Sequence, residues 1–323
     1  MEILVTGGAG YIGSVLTRQL LSKGYRVRVL DILNFGGESL LGILNDPNFE
    51  FHKGDVRIKE DIEKATKDVD ALVHLAAIVG DPACAKEPNI AKETNLEASI
   101  NLFNICEKSI NIKKFIFAST CSNYGKMKHN EVVTEDSPLK PVSHYAKLKV
   151  SFEKYLLESK TRSNFVPTSL RFATVYGISP RMRFDLTVNE FTKDAALGRE
   201  LVIFGEQFWR PYCHVQDLAR SCVLVLESDG KKVDHQVFGV GETSENYQKK
   251  MLADEILRVL PETRIKYVHK EEDPRDYKVD FTHIKNELGF KITKTVPVGI
   301  DEIAFIIQNG FLVDPDNKIY RNS

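Results

Sequence analysis

The chain has 323 residues, which is enough for one large or two ordinary domains with a sizeable core. Its 44 lysines and arginines nearly equal its 45 aspartates and glutamates, and the formal net charge is −1. This balance argues against the overall positive surface that binds nucleic acid or an anionic membrane, so we expect neither as a partner.

The cysteines and the apolar runs indicate the compartment. The five cysteines form no C-x-x-C or Cys/His metal-binding spacing, so we expect reduced thiols and no metal site. The first strand-like run begins at residue 2, which leaves no room for a signal peptide. No apolar run approaches the roughly 20 residues that a membrane-spanning helix needs. These features predict a soluble, cytoplasmic protein.

Short apolar runs rich in β-branched residues alternate with segments of helical periodicity in the first half of the chain. The predicted strands span 2–6, 26–31, 49–53, 70–75, 113–118 and 165–172. The predicted helices span roughly 12–23, 57–67, 89–109 and 144–160. This alternation predicts an α/β fold with a doubly wound parallel sheet of the Rossmann type, covered by helices on both faces.

After about residue 172 the pattern changes, which predicts a smaller mixed α/β lobe. We expect a dinucleotide-binding domain over 1–172, joined by about 210–240, and a mainly substrate-binding lobe over 173–323. The strand at 236–240 is the reason for that addition, since it could rejoin the main sheet. Within the lobe we predict loops at 175–185 and 205–214, helices at 187–197 and 245–260, and a strand at 201–204.

The first strand runs directly into the glycine-rich turn TGGAGYIGS. Gly7, Gly10 and Gly13 have the spacing G-x-x-G-x-x-G. Glycine permits a tight turn, lets the backbone approach a pyrophosphate, and lets the following helix pack close to the strand. A dinucleotide diphosphate would then lie at the positive end of the helix that begins near Tyr11 and Ile12.

Asp31 ends the second predicted strand, about 18 residues after Gly13. A carboxylate at this place is expected to bind the adenosine ribose of a dinucleotide. No basic residue follows Asp31 immediately, so a 2′-phosphate would meet repulsion. The sequence therefore favours NAD over NADP as the cofactor.

Residues that follow the third and fourth strands also fit a dinucleotide lying across the strand ends. Asp55 and Val56 would hold the adenine, although Asp55 could equally close a turn. Leu75, Ala76 and Ala77 offer small side chains beside the cofactor, and simple packing is the alternative.

Four motifs in order resemble the extended short-chain dehydrogenase/reductase family, and within it the sugar-nucleotide epimerases and dehydratases. They are TGGAGYIGS at 6–14, HLAA at 74–77, STCSNYG at 119–125 and YAKLK at 145–149. The resemblance covers essentially the whole chain, including RPYCHVQD at 210–217. It implies the extended Rossmann fold, NAD as cofactor and a nucleotide-diphosphate sugar as substrate.

The resemblance implies that Thr120, Tyr145 and Lys149 are catalytic. Tyr145 would take the proton from a sugar hydroxyl while hydride leaves the same carbon, and Thr120 would hold the reacting oxygen in line. Lys149 and the cationic nicotinamide would lower the pKa of the phenol from its ordinary value near ~10. Ser119, Tyr145 and Lys149 would also contact the cofactor. Asn95 would orient the backbone nearby or merely cap its helix.

The resemblance also implies a set of substrate contacts. These are Thr120, Tyr145, Thr174, Arg181, Arg183, Asn189, Arg210 and Arg275. Arginine suits this role because its forked donors match a diphosphate. Arg210 matches the family's phosphate-binding arginine, whereas Arg275 is displaced by one or two positions from another such site. A surface ion pair or a helix cap is the alternative for the four arginines and for Asn189.

Two features narrow the reaction and leave it open between two outcomes. Cys121 and Ser122 stand where dehydratases of the family carry Asp-Glu, so 4,6-dehydration is not expected. The RMRFDL-x-VN and EDPRDY runs resemble nucleotide-heptose C4 dehydrogenases, beside plain 4-epimerases. A redox-inactive dinucleotide sensor and an NADPH-dependent keto-sugar reductase are further hypotheses; the catalytic residues argue against the first and Asp31 against the second.

The family resemblance implies a homodimer that assembles through a four-helix bundle. The helices at 89–109 and 144–160 carry apolar positions that could pack between subunits or could face their own sheet. These positions are Leu96, Ile100, Phe103, Leu148, Phe152 and Leu156.

Overall fold

The computed structural model describes residues 1–127, 131–273 and 275–322. The strands in these residues are β1 (Glu2–Thr6), β2 (Arg26–Asp31), β3 (Phe49–Lys53), β4 (Ala71–His74), β5 (Lys114–Thr120), β6 (Val132–Val133), β7 (Val166–Phe172), β8 (Thr174–Tyr176), β9 (Leu201–Phe204), β10 (Trp209–His214), β11 (Gln236–Val240), β12 (Asn246–Gln248), β13 (Ile265–Val268) and β14 (Lys278–Val279). The α-helices are α1 (Gly13–Ser22), α2 (Lys59–Ala65), α3 (Asp81–Lys86), α4 (Pro88–Lys92), α5 (Ala98–Lys108), α6 (His144–Glu158), α7 (Thr187–Ala196), α8 (Val215–Glu227), α9 (Gly230–Val233), α10 (Lys249–Val259), α11 (Thr282–Leu288) and α12 (Val296–Gln308).

Seven parallel strands form the central sheet in the order β11-β7-β5-β4-β1-β2-β3. The chain winds outwards from β1 in one direction and then from β4 in the other, so the strand order reverses between these two neighbours. Ligands of open α/β sheets bind in the crevice at such a reversal. The predicted doubly wound Rossmann fold is confirmed.

Helices cover both faces of the sheet, and β1 shows how the sequence requires this. All five residues of β1 are buried. Ile3 and Val5 belong to the core that includes side chains of α1 and α8, whereas Leu4 belongs to the core that includes side chains of α2, α5 and α6. Alternate residues of a strand point to opposite faces, so a strand that is apolar at every position needs a covering layer on each side.

The C-terminal lobe contains short strands that the sequence analysis missed. The prediction of a loop over 205–214 is wrong for 209–214, because β10 pairs with β8 and β12 there. Pro211 suggested a loop because proline cannot donate to a strand ladder. The helix predicted at 245–260 begins only at Lys249, since Asn246–Gln248 forms β12. In both segments, pairing with strands that are distant in sequence determines the secondary structure.

The helix predicted at 89–109 is confirmed as helical, but it is not uniform. It runs from α4 through a wider π-type turn at Glu93–Glu97 into α5. Such turns carry one extra residue and often occur near functional sites. Here the turn contains Asn95, which is buried and contacts the loop after β4.

The apolar positions proposed for a dimer interface are used within the chain. Four of them, Phe103, Leu148, Phe152 and Leu156, are buried, and Phe103, Phe152 and Leu156 belong to the core beneath α5 and α6. This was the alternative for these residues, and the homodimer stays a prediction from the family resemblance. No helix in the described part of the chain is long and apolar enough to cross a membrane.

A buried ion pair fixes α6 against the sheet. Arg171 in β7 donates to the Glu153 carboxylate in α6: its Nη2 and Nε reach Oε1 at 2.8 and 3.1 Å, and its Nε reaches Oε2 at 3.3 Å. Their side chains are 4% and 1% exposed. Ser169 adds a bond to the same carboxylate at 2.9 Å. Removal of one partner from such a pair leaves an uncompensated buried charge.

We expect Arg171→Met to lower the free energy of unfolding by about 3–5 kcal/mol, because Glu153 would be left buried and unpaired. Urea denaturation followed by circular dichroism measures this change. Arg258→Met, which breaks an ion pair with Glu255 on the surface, is the matched control and should leave the stability unchanged within error. Equal stability of the two variants would contradict the conclusion that the Arg171–Glu153 pair holds α6 against the sheet.

Candidate active site

A cavity of about 640 Å³ opens at the carboxyl ends of the central strands, at the reversal between β1 and β4. One part of its wall comes from the turn and loops that follow β1, β2, β3 and β4. Another part comes from the C-terminal lobe, including residues 173–175, Arg181, Arg183 and residues 185–187. Its size and position are those of a small-molecule site in an α/β fold.

The glycine turn after β1 leaves room for a backbone-bound diphosphate. Gly7 has φ +74°, a conformation that favours glycine, and a Cβ there would lie 2.8 Å from the Ala76 nitrogen. A Cβ on Gly13 would collide with the Gly7 carbonyl oxygen and lie 2.7 Å from the Gly8 Cα. The turn can therefore be built only without these side chains. It fits the dinucleotide cradle that the sequence predicted, and Gly7, Gly10, Tyr11, Ile12 and Gly13 all line the cavity.

Asp31 lies at the edge of the same cavity, at the end of β2. Its carboxylate accepts hydrogen bonds from the backbone nitrogens of Ala9 at 3.0 Å and Leu33 at 2.8 Å. Burial raises the pKa of Asp31, and these two bonds oppose the rise. The acid is thus held in place beside the expected position of the adenosine ribose.

Asp55 and Val56 also line the cavity, and Asp55 closes a turn as well. Its carboxylate accepts from the backbone nitrogen of Arg57 at 2.8 Å and pairs with the Arg57 guanidinium at 2.6 Å. Burial would raise the pKa of Asp55, but Arg57 more than offsets this and the pKa ends below its usual range. Both roles weighed for Asp55 are compatible with this geometry.

The loop after β4 forms the wall between the glycine turn and α6. Leu75, Ala76 and Ala77 line the cavity. Asn95 does not line it; its side chain accepts from the Ile78 nitrogen and donates to the Ile78 carbonyl, each at 2.8 Å. Asn95 therefore shapes the loop, which is the orienting role that the sequence analysis considered.

Tyr145 and Lys149 project from one face of α6 into the cavity, as their spacing predicts. The helix begins just before them, where the Ser143 hydroxyl accepts from the Ala146 nitrogen. The Lys149 Nζ donates to the Ala118 carbonyl at 2.8 Å and lies 5.9 Å from the centre of the Tyr145 ring. Burial lowers the pKa of Lys149 to about 8.

The surroundings of Tyr145 within the chain raise the pKa of its phenol. Burial is the main cause, the nearby Cys84 adds to it, and the charge of Arg183 opposes it. A base with a raised pKa is neutral at pH 7, so its ionisation requires a further positive charge in the cavity. A cationic nicotinamide would supply that charge.

Ser119 and Thr120 bring the end of β5 to the same wall. The Thr120 hydroxyl accepts from the Ser122 nitrogen at 3.1 Å, and the Ser119 hydroxyl accepts from Asn123 at 3.0 Å. Thr120 is half-buried and retains the capacity to donate to a substrate oxygen.

A cationic group from the C-terminal lobe lines another part of the cavity. Arg210 donates to Asp273 at 2.9 Å, and Arg275 donates to Asp81 at 3.1 Å. Lys249, at the start of α10, also lines this part. Sequence analysis missed Lys249, Asp81 and Asp273, because no motif marks them and only the fold brings them to the cavity.

The remaining predicted substrate residues divide into two groups. Thr174, Arg181 and Arg183 line the cavity. Asn189 does not; its side chain accepts from the Gly177 nitrogen at 2.9 Å and donates to the Tyr11 hydroxyl at 3.0 Å. Asn189 thus braces the lobe against the glycine turn.

His214 and Asp217, at the junction of β10 and α8, brace this junction against the C-terminal part of the chain. His214 lies 3.0 Å from Glu302, and Asp217 accepts from the Thr293 nitrogen at 2.8 Å. Neither lines the cavity.

A model of the NAD dependent epimerase/dehydratase family matches residues 3–241. The chain belongs to this family. A UDP-glucose 4-epimerase of Lactobacillus helveticus is 29% identical over 315 residues, which cover 90% of this chain and 92% of that protein. The solved UDP-glucose 4-epimerase of Thermotoga maritima, with UDP-glucose, has a TM-score of 0.84 and 29% identity, covering 97% of this chain and 100% of its own.

Epimerases and dehydratases both occur among the similar structures. A dTDP-glucose 4,6-dehydratase of Streptomyces venezuelae, solved with NAD, has a TM-score of 0.84 and 26% identity, and covers 96% of this chain and 98% of its own. Membership of the family confirms that the protein is an enzyme and that NAD is its cofactor. The hypothesis of a redox-inactive sensor is therefore not supported.

We expect Gly13→Ala to weaken NAD binding at least tenfold (about 1.4 kcal/mol), because the new Cβ would push α1 away from the Gly7 carbonyl. Isothermal titration calorimetry measures the affinity. Gly42→Ala is the matched control, since its Cβ would meet only the tip of Arg18 at 3.6 Å and should leave the affinity unchanged. Wild-type affinity in Gly13→Ala would rule out the turn as the diphosphate cradle.

We expect NAD to lower the pKa of Tyr145, because a nearby cation favours the phenolate over the neutral phenol that burial favours without it. Ultraviolet titration of tyrosinate, with the Tyr145→Phe variant subtracted, should show the ionisation midpoint at a lower pH when NAD is present. A midpoint that NAD leaves unchanged would mean that the cofactor charge does not reach the phenol.

Proposed function

We propose that this enzyme oxidises C4 of a nucleotide-diphosphate sugar and then restores it with inverted configuration, as a 4-epimerase. The observation that carries the proposal is the arrangement of one cavity, in which Thr120, Tyr145 and Lys149 lie between a dinucleotide-type glycine turn and the cationic group at Arg210. The similarity to UDP-glucose 4-epimerases supports the same reaction.

Tyr145, Thr120 and Lys149 would each have a separate role in the reaction. Tyr145, as phenolate, takes the proton of the C4 hydroxyl and later returns it to the C4 oxygen. Thr120 donates a hydrogen bond to that oxygen and keeps it aligned. Lys149 holds a positive charge 5.9 Å from the Tyr145 ring, which favours the phenolate. Bound NAD would accept hydride from C4 and give it back to the opposite face of the 4-keto sugar.

The substrate diphosphate would bind at the cationic group, through Arg210, Lys249 and Arg275. Burial would raise the pKa of Asp273, but Arg210 more than offsets it, so the carboxylate stays charged and orients that arginine. We assign 1–172, together with about 210–240, to cofactor binding and 173–323 mainly to substrate binding.

Release of the 4-keto sugar, as in a C4 dehydrogenase, is the second candidate. The sequence runs around Arg183 and Arg275 favour it by resemblance. Both candidates share every step up to the keto sugar. In an epimerase the keto sugar then rotates in the cavity and takes hydride back, whereas in a dehydrogenase it is released. The absence of Asp-Glu at Cys121 and Ser122 argues against dehydration in either case.

We expect turnover on at least one sugar of a panel of UDP-, GDP-, CDP- and dTDP-sugars, analysed by chromatography and mass spectrometry. A diastereomer of unchanged mass means an epimerase, and a product lighter by two hydrogens means a C4 dehydrogenase.

Tyr145→Phe should lower kcat by about 100-fold or more with unchanged NAD affinity, because only the proton transfer is removed.

Tyr267→Phe is the matched control for that variant, since Tyr267 is 46% exposed and lies outside the cavity, and it should retain full activity. Undiminished turnover by Tyr145→Phe would remove Tyr145 from the mechanism.

A further inference from the structure

Arg181 is tied to the cofactor side of the cavity. The Ser179 hydroxyl donates to the Tyr11 carbonyl at 2.7 Å and lies 3.1 Å from the Ser14 hydroxyl, which fastens this segment to the first turn of α1. The Arg181 nitrogen then donates to the same Ser179 oxygen at 3.3 Å. The segment that carries Arg181 is therefore attached to the glycine turn, where a dinucleotide diphosphate would lie.

The guanidinium of Arg181 is buried with its hydrogen-bonding capacity partly unused. The residue is 6% exposed and lines the cavity. Its Nη2 donates to the Arg321 carbonyl at 3.1 Å, but its Nε has no hydrogen-bond partner in the described part of the chain. The guanidinium lies 4.2 Å from the centre of the Phe35 ring, which holds it in place. Within the described residues, no anion is hydrogen-bonded to this buried cation, so its burial is not fully compensated.

Arg183, two residues further on, provides the contrast. Its Nε and Nη2 donate to the two oxygens of Asp185 at 2.9 and 2.8 Å, so its charge is already compensated. Burial, followed by the charge of Arg183, lowers the pKa of Arg181 to about 10 despite the opposing effects of Asp185 and Asp31. Arg181 is still a cation at neutral pH, and these carboxylates leave its charge only partly offset.

The surroundings of Arg181 differ from those of the substrate-side cations. The largest charge effects on Arg181 come from Arg183, Asp185 and Asp31. Those on Lys249 come from Asp273 and then from Arg210 and Arg275. The arginines that the sequence placed in one substrate-binding set thus belong to two electrostatic groups.

Asp31 cannot serve as the missing partner of Arg181. Its oxygens accept from the backbone nitrogens of Ala9 and Leu33, and none of its hydrogen bonds within the described residues comes from the guanidinium. Asp31 would also repel a 2′-phosphate at the adenosine ribose. The diphosphate over the glycine turn is the remaining anion of the cofactor at this end of the cavity.

We propose that Arg181 binds the diphosphate of the dinucleotide together with the glycine turn, and is a cofactor-binding residue instead of the substrate-binding residue that the sequence predicted. The carbonyl of Arg321 orients the guanidinium from the C-terminal segment. This inference rests on NAD as the cofactor and is independent of which sugar reacts.

Calorimetric titration of NAD, ADP and adenosine into the full-length protein, freed of bound nucleotide, tests the proposal. In Arg181→Met we expect the affinities for NAD and ADP to fall about 10- to 100-fold, because charge-assisted hydrogen bonds to phosphate are lost. The affinity for adenosine should not change, since adenosine has no phosphate. Arg181→Lys keeps the charge and should recover part of the loss.

Arg258→Met is the matched control, because Arg258 pairs with Glu255 on the surface and does not line the cavity; it should bind NAD like the wild type. An equal loss for adenosine would overturn the proposal, and so would unchanged NAD affinity with a raised KM for the sugar nucleotide. Failure of the wild-type protein to bind NAD would instead contradict the cofactor assignment, so the two failures are distinguishable. Circular dichroism and the Tm of each variant show whether it is folded.

Discussion

The carbonyl oxygen of Gly7 occupies the space that a side chain at position 13 would need, and this contact sets how closely α1 approaches β1. Because the approach is close, the positive end of α1 lies over the carboxyl end of β1, at the reversal of strand order. The same turn carries Tyr11, whose hydroxyl donates to the Gly177 carbonyl at 2.5 Å. The C-terminal lobe is therefore positioned against the cofactor turn itself, and the cavity between them depends on it.

Helix α6 is the second fixed element. Its burial holds Tyr145 and Lys149 in place and also shifts the pKa of each side chain. The Arg171–Glu153 pair and the bond from Lys149 to the Ala118 carbonyl fix the helix against β5 and β7. The burial that accompanies this fixing raises the pKa of Tyr145 and lowers that of Lys149, because it favours the neutral form of each group. A cationic cofactor bound nearby would favour the phenolate of Tyr145 and would thus link its ionisation to cofactor occupancy.

The cavity distributes its cations between two ends. Near the glycine turn, Arg181 and Arg183 share one segment, but only Arg183 has a bidentate carboxylate partner. At the lobe end, Arg210 and Arg275 pair with acids that only the fold brings near them. A diphosphate-linked dinucleotide and a diphosphate-linked sugar would each need such compensation, and two separate cationic ends would allow both to bind at once.

Most strands and helices of the first half could be predicted from the sequence alone, although not α3 or β6, and so could the glycine turn, Asp31 and the Tyr145–Lys149 spacing. These features depend on local periodicity, on backbone conformation and on residues four apart in one helix, all of which are encoded over short stretches. The tertiary structure decided β10 and β12, which exist because they pair with each other, and it decided that Phe103 and Phe152 belong to the chain's own core. Packing also places the arginines at the two ends of the cavity, because Asp31 near Arg181, Asp273 near Arg210 and Asp81 near Arg275 are distant from them in sequence.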